Sequence, residues 1–111
     1  METSSPHLDP DLYRRLLVDN HDAFAAGLYE VAYHALAAAL HWADTARDAN
    51  RLHEIQNQAH AQRAWIVANA PTHRISPQAA ALRGNRSVYD SLDLQIQAML
   101  NRATGDEARA E

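Results

Sequence analysis

From Asp9 onward, apolar residues recur at three- and four-residue spacings, and the pattern is interrupted at a few marked points. Tyr13, Leu16, Leu17, Ala23 and Phe24 share one face, which predicts a helix over 10–26. Asp9 can accept from the first amides, Pro10 suits the first helical position, Asp11 favours the dipole and Gly27 supplies a stop. A second helix is predicted over 28–46, with Tyr29, Ala32, Tyr33, Leu36, Ala39, Leu40 and Ala43 along one stripe. Val31, Ala35, Ala38 and Trp42 add a smaller apolar edge. A surface wider than the usual ~100° implies more than one packing neighbour, so this helix belongs at the centre of the fold.

No glycine or proline follows it, and one continuous helix to Asn69 is the alternative. Leu52, Ile55, Ala59 and Ile66 do not continue the phase of Leu36 and Ala43, which favours a break over 44–50 with Asp48 or Thr45 as the next cap. The third helix then covers 49–69 and ends before Pro71. After a loop over 70–75, Ser76-Pro77 opens a short helix that stops at Gly84. The last helix starts after Asn85 or Ser87, groups Tyr89, Leu92, Ile96, Met99 and Leu100, and is expected to end at Gly105. Residues 92–97 also alternate with a period of two, but a lone strand has no partner in this chain, so helix is preferred. The expectation is one all-α domain over 9–104 between disordered tails at 1–8 and 105–111. Its architecture is an antiparallel helical hairpin extended to a four- or five-helix bundle.

Composition supports a single core: 111 residues, 47% of them hydrophobic, suit one domain that buries roughly two-thirds of its unfolded surface. The absence of cysteine removes disulfide frameworks and thiolate metal sites. No apolar run approaches the roughly 20 residues that span a bilayer, and the opening residues lack the basic and apolar regions of a signal peptide. The expected location is the cytoplasm, without a membrane partner. All 10 basic residues are arginine, a bias that points to a GC-rich bacterial genome. The net charge of −4 reads as spread along the chain, with no arginine patch suited to nucleic acid. The 7 histidines would bring the protein towards neutral or positive charge near about pH 5–6.

The segment Gly27-Leu28-Tyr29-Glu30-Val31-Ala32 through Leu36, Ala39 and Leu40 reads G-x-Y-x-x-A-x-x-x-L-x-x-A-L. It resembles the turn and second helix of a tetratricopeptide repeat, in which glycine permits the tight turn and small residues let two helices approach closely. The resemblance covers about 12–46. Leu16 matches the first helix of that family, whereas Asp19 and Asn20 stand where leucine and glycine would sit, and a 34-residue shift brings Gly27 onto Ala61, so there is no second copy. The resemblance implies a protein-binding module whose groove face would carry Arg14, Leu17, His21 and Phe24. Leu17 and His21 occupy the lysine and asparagine positions of the family's carboxylate clamp, which leaves peptide-carboxylate recognition without its usual ligands. Core packing is the competing role for Leu17 and Phe24.

Trp42 and Trp65 lie off the main stripes of their helices, and tryptophan is enriched at interfaces. At least one is expected to be buried by a neighbouring subunit or a later helix. They complete the candidate partner-binding set, with self-association as the first interaction. An alternative comes from His34, His41, His53 and His60, whose spacings are symmetric about Arg47. In an antiparallel hairpin, His41 would lie level with His53 and His34 with His60, a possible transition-metal site for an ion such as zinc. All four fall outside the apolar stripes, so solvated histidines and no cofactor are the simpler expectation, with a shared metal at a subunit interface as the variant. There is no Glu-x-x-His for a di-iron bundle. Catalysis has little to stand on, since Ser76, Ser87 and Ser91 suit caps and surface positions and three isolated glycines cannot build a phosphate loop. The chain reads as a non-catalytic interaction or assembly module.

Overall fold

The computed structural model describes residues 8–110, with side chains placed up to Gly105. Five helices follow in order: α1 (Pro10–Ala25), α2 (Tyr29–Thr45), α3 (Ala49–Asn69), α4 (Pro77–Leu82) and α5 (Val88–Ala110). There is no strand among the described residues, and 92–97 lie inside α5. The all-α bundle is as expected. The caps follow local chemistry: Asp9 accepts from the Asp11 amide, Asp48 from the Arg51 amide and Ser76 from the Ala79 amide.

Three helix ends share one hydrogen-bond pattern. At α1, Gly27 N–H donates to the Phe24 carbonyl (3.0 Å) and Leu28 N–H to the Ala23 carbonyl (2.9 Å). Arg47 and Asp48 repeat this after α2, and Gly84 and Asn85 after α4. Each is a Schellman closure whose pivot must enter the left-handed region. The pivots have φ of 79° at Gly27, 75° at Gly84 and 56° at Arg47. The break after α2 therefore forms without glycine, and Asp48 immediately caps α3.

Side-chain pairs give the directions. Tyr13 meets Glu54, Asn20 meets Gln62 and Phe24 meets Trp65, so α1 and α3 run parallel. Tyr33 meets Tyr89 and Asp44 meets Arg102, so α2 and α5 also run parallel. Arg63 pairs with Asp90, while His60 and Gln56 reach Asp93, which makes α3 and α5 antiparallel. The assembly is a slab of 51 × 28 × 18 Å, about two helix diameters thick.

As its wide apolar surface predicts, α2 is central. Ala32, Leu36, Ala39, Leu40 and Ala43 are fully buried, and their faces meet Leu52, Ile55, Ala59 and Ile66 of α3, Ile75 of the loop, and Tyr89, Leu92 and Ile96 of α5. Each large aliphatic side chain buried this way contributes about 1.5–3 kcal/mol. The small alanines let α2 lie close to its neighbours.

Two boundaries differ from expectation. Gly105 does not end the last helix, which continues to Ala110; glycine inside a helix costs about 1 kcal/mol relative to alanine but does not forbid it. Leu8 forms a 3₁₀ turn and packs against the core as part of the domain. The rest of the expected N-terminal tail, 1–7, and Glu111 lie outside the described residues.

Candidate functional site

The most ordered polar cluster joins four helices at the centre of the molecule. Asn20 of α1 is fully buried and Gln62 of α3 is 4% exposed. The Gln62 amide donates to Asn20 Oδ1 (2.6 Å), and the Asn20 amide donates to Gln62 Oε1 (3.2 Å) and to the Ala32 carbonyl of α2 (2.7 Å). The Gln58 amide also reaches Asn20 Oδ1, at 3.5 Å, and the Tyr89 hydroxyl of α5 donates to Gln62 Oε1 at 2.8 Å. Burial raises the Tyr89 pKa, so it remains a neutral donor. The signal for this cluster was present in the sequence: Asn20 shares the phase of Tyr13 and Phe24, and Gln62 continues the series Leu52, Ile55, Ala59, Ile66. Two polar residues on core phases of parallel helices are what a reciprocal amide pair requires.

A second cluster lies near the start of α1. The Tyr13 hydroxyl donates to Glu54 Oε1 at 2.6 Å, and the Arg51 guanidinium lies 5.0 Å above the Tyr13 ring and 5.1 Å above Trp42. Burial, reinforced by the Glu54 hydrogen bond, raises the Tyr13 pKa. Trp42 is 9% exposed and packs in a tilted arrangement against Tyr13, ring centroids 5.3 Å apart. It is thus covered by its own chain, by α1 together with Arg51 of the later helix α3, and it sits off the main stripe because α2 has neighbours on two sides. Its indole N–H is buried without a partner, an arrangement that costs about 1–3 kcal/mol. Trp65, at 43% exposed, keeps an open edge while Phe24 and Tyr29 pack on it at 5.5 and 5.7 Å.

The four residues that the family resemblance would place in a groove have different surroundings. Arg14 is exposed and paired with Asp11 at 2.6 Å. Leu17 and Phe24 are half-buried against the core, as their competing role required. His21 is exposed, with its Nε2 at 3.2 Å from Gln58. Arg14 and Phe24 are about 15 Å apart along the helix, too far to touch one small ligand.

The histidines do not pair. His34 lies beside Tyr33, His41 lines a groove towards α1, His53 lines a cavity with Glu54 and Asn57, and His60 is 2.8 Å from Asp93 of α5. The layer between α2 and α3 is filled by Leu36, Ala39, Leu40, Leu52, Ile55 and Ala59, which places the imidazoles on outer faces. Among the described residues, no group of three or more His, Asp or Glu side chains is arranged to hold a metal ion.

Two of the concave surfaces lie at opposite ends of α2. One groove of about 390 Å³ is lined by Leu8, Leu12 and Leu16 of the N-terminal end and by Ala38, His41, Trp42 and Thr45 of α2. At the other end of α2, a cavity of about 450 Å³ is lined by Glu30, Tyr33, His34, Arg74, Ile75, Arg83 and Val88. No helix among the described residues is long and apolar enough to cross a membrane. Comparison with protein-family models, curated proteins and solved structures finds no match to the chain.

Proposed function

We propose that this chain is a small non-catalytic protein–protein interaction module whose first partner is a second copy of itself. The observation that carries the reading is the groove between α1 and α2. Leu12 and Leu16 are only half-buried there and Ala38 is exposed, so an apolar surface beside the buried Trp42 has no cover within the described chain. Val18 and Val31, each more than half exposed on the same two helices, extend the apolar character of this hairpin.

The order of the helices supports a tetratricopeptide-type relationship. Parallel α1 and α3, with parallel α2 and α5 beside them, is how consecutive helical hairpins stack, and a hairpin in such a stack whose outer face is apolar, not polar like a capping one, has a face for a further unit. The short α4, inserted between α3 and α5, departs from that plan. Cytoplasmic location and bacterial origin belong to the same proposal and rest on the sequence features given above.

The test is native mass spectrometry and sedimentation of tag-free protein, wild type against Ala38→Arg. This change puts a large cation in the groove from an exposed position and leaves the core intact. The wild type is expected to self-associate at about 10–100 µM and the variant to remain monomeric. A monomeric wild type, or an oligomer indifferent to the arginine, would overturn the proposal.

A further inference from the structure

The charges are segregated in the sequence. Between Ile55 and Tyr89 there is no aspartate or glutamate, while Arg63, Arg74, Arg83 and Arg86 all fall there, in a chain whose net charge is −4. The spread of charge expected from the sequence is thus corrected. Arg63 is paired with Asp90 of α5. Arg74 and Arg83 meet instead at the cavity of about 450 Å³ where α2 and α5 begin.

Among the described residues lining that cavity the only carboxylate is Glu30, and both of its oxygens are engaged by Arg74, at 2.7 and 2.5 Å. The Arg74 hydrogen bond and charge hold the Glu30 carboxyl below the usual glutamate range, so the pair stays ionised. Arg83 has no carboxylate partner among the described residues. One of its N–H groups donates to the Arg74 carbonyl at 3.1 Å, which positions a guanidinium whose charge no described carboxylate neutralises. His34 adds an imidazole to the same wall, and Tyr33, Ile75 and Val88 form an apolar side.

The backbone adds to this field. Because α2 and α5 are parallel, their N-terminal, positive ends lie at the same end of the bundle, and both contribute to the lining. The cap position of α2 is Leu28, with no side-chain hydrogen bond to the first turn. A volume in the range of ordinary small-ligand sites, an oriented arginine fork and an apolar wall together define a ligand chemistry.

We propose that this cavity binds a small organic oxyanion, a phosphate ester or carboxylate attached to an apolar group. The oxyanion takes the Arg83 guanidinium, with His34 beside it, and the apolar group rests on Tyr33, Ile75 and Val88. The site is at the opposite end of α2 from the α1–α2 groove and does not depend on self-association.

The test uses amide and arginine side-chain NMR titrations at low salt with phenyl phosphate, benzoate and inorganic phosphate. Saturable shifts at Tyr33, His34, Ile75 and Arg83 are expected with at least one aromatic anion, about tenfold tighter than with inorganic phosphate. Whichever of phenyl phosphate and benzoate binds more tightly identifies the oxyanion source. Arg83→Gln should weaken that binding about tenfold, and Glu30→Gln should strengthen it by removing a negative charge and releasing Arg74. Leu82→Gln, at an 89% exposed neighbour outside the cavity, serves as the control and should leave binding unchanged. No saturation with either aromatic anion, inorganic phosphate binding as tightly as both, or Arg83→Gln and Glu30→Gln failing to move affinity in opposite directions would overturn the proposal.

Discussion

Near the start of α1, a tyrosine hydroxyl meets a glutamate beside an arginine and an aspartate, partly open to solvent. Two helical turns further along the same contact with α3, Asn20 and Gln62 exchange amide hydrogen bonds with almost no solvent present. Both seams hold α1 to α3. The charged one can be rearranged, because water can take over any bond it loses. The amide pair cannot, since each group would be left unpaired in the core. Its four-helix reach makes it the stronger determinant of how the hairpin docks onto the rest of the chain, a role buried polar pairs fill when every member is satisfied.

The sharpest way to break this distinction is Gln62→Leu. Asn20 and the Tyr89 hydroxyl lose partners in a dry site, so unfolding in urea should show a loss of about 2–4 kcal/mol. A loss under about 1 kcal/mol would mean that water replaces the amide and that the seam is not closed. Next in size is the coupling between the two amides. Asn20→Leu with Gln62→Leu removes both partners together, and the double variant should be more stable than the sum of the single losses predicts, by about 1–2 kcal/mol. Simple additivity would dissolve the pair into two independent residues.

In the charged seam, Tyr13→Phe removes the short hydrogen bond to Glu54 and the long one to the Arg51 carbonyl, and leaves a carboxylate that water can reach. The cost should be about 0.5–1.5 kcal/mol by the same urea measurement, smaller than at Gln62. The smallest effect separates the seams by pH. Partial burial of Asp48 opposes its ionisation, but hydrogen bonds from the Arg51 amide and guanidinium more than offset this and hold its carboxyl below the ordinary aspartate value. A depressed folded pKa contributes stability above the unfolded value of about 3.9, and that contribution is lost as pH falls through the folded value. The stability difference between wild type and Asp48→Asn, which keeps a capping oxygen, should therefore close between about pH 5 and pH 2. The difference for Gln62→Leu should stay constant over the same range, since neither amide titrates.

Most of the helical plan was legible because its signals are local. Asp9-Pro10, Ser76-Pro77 and Asn69-Ala70-Pro71 act on the turn that contains them, and the α2–α3 break showed as a change of phase between Ala43 and Leu52. The identity of the pivot in that break was not legible. Arg47 adopts a left-handed backbone that glycine would enter more easily, and it does so where α2 ends against α3. Gly105 shows the converse: a residue that ends other helices in this chain is carried through α5.

The candidate sites divide in the same way. Read alone, the chain was enough for an all-α bundle with caps at Asp9 and Ser76, the central place of α2 and the outward position of the four spaced histidines, because periodicity reports which face of a helix is apolar. What meets across helices came from the folded arrangement alone: that Trp42 is covered by Tyr13 and Arg51, that Asn20 finds Gln62, and that Glu30 engages Arg74 while Arg83 has no carboxylate partner among the described residues. These depend on the rotation and register of one helix against another. Those are set by close packing of the whole core, and no local stretch of chain contains them.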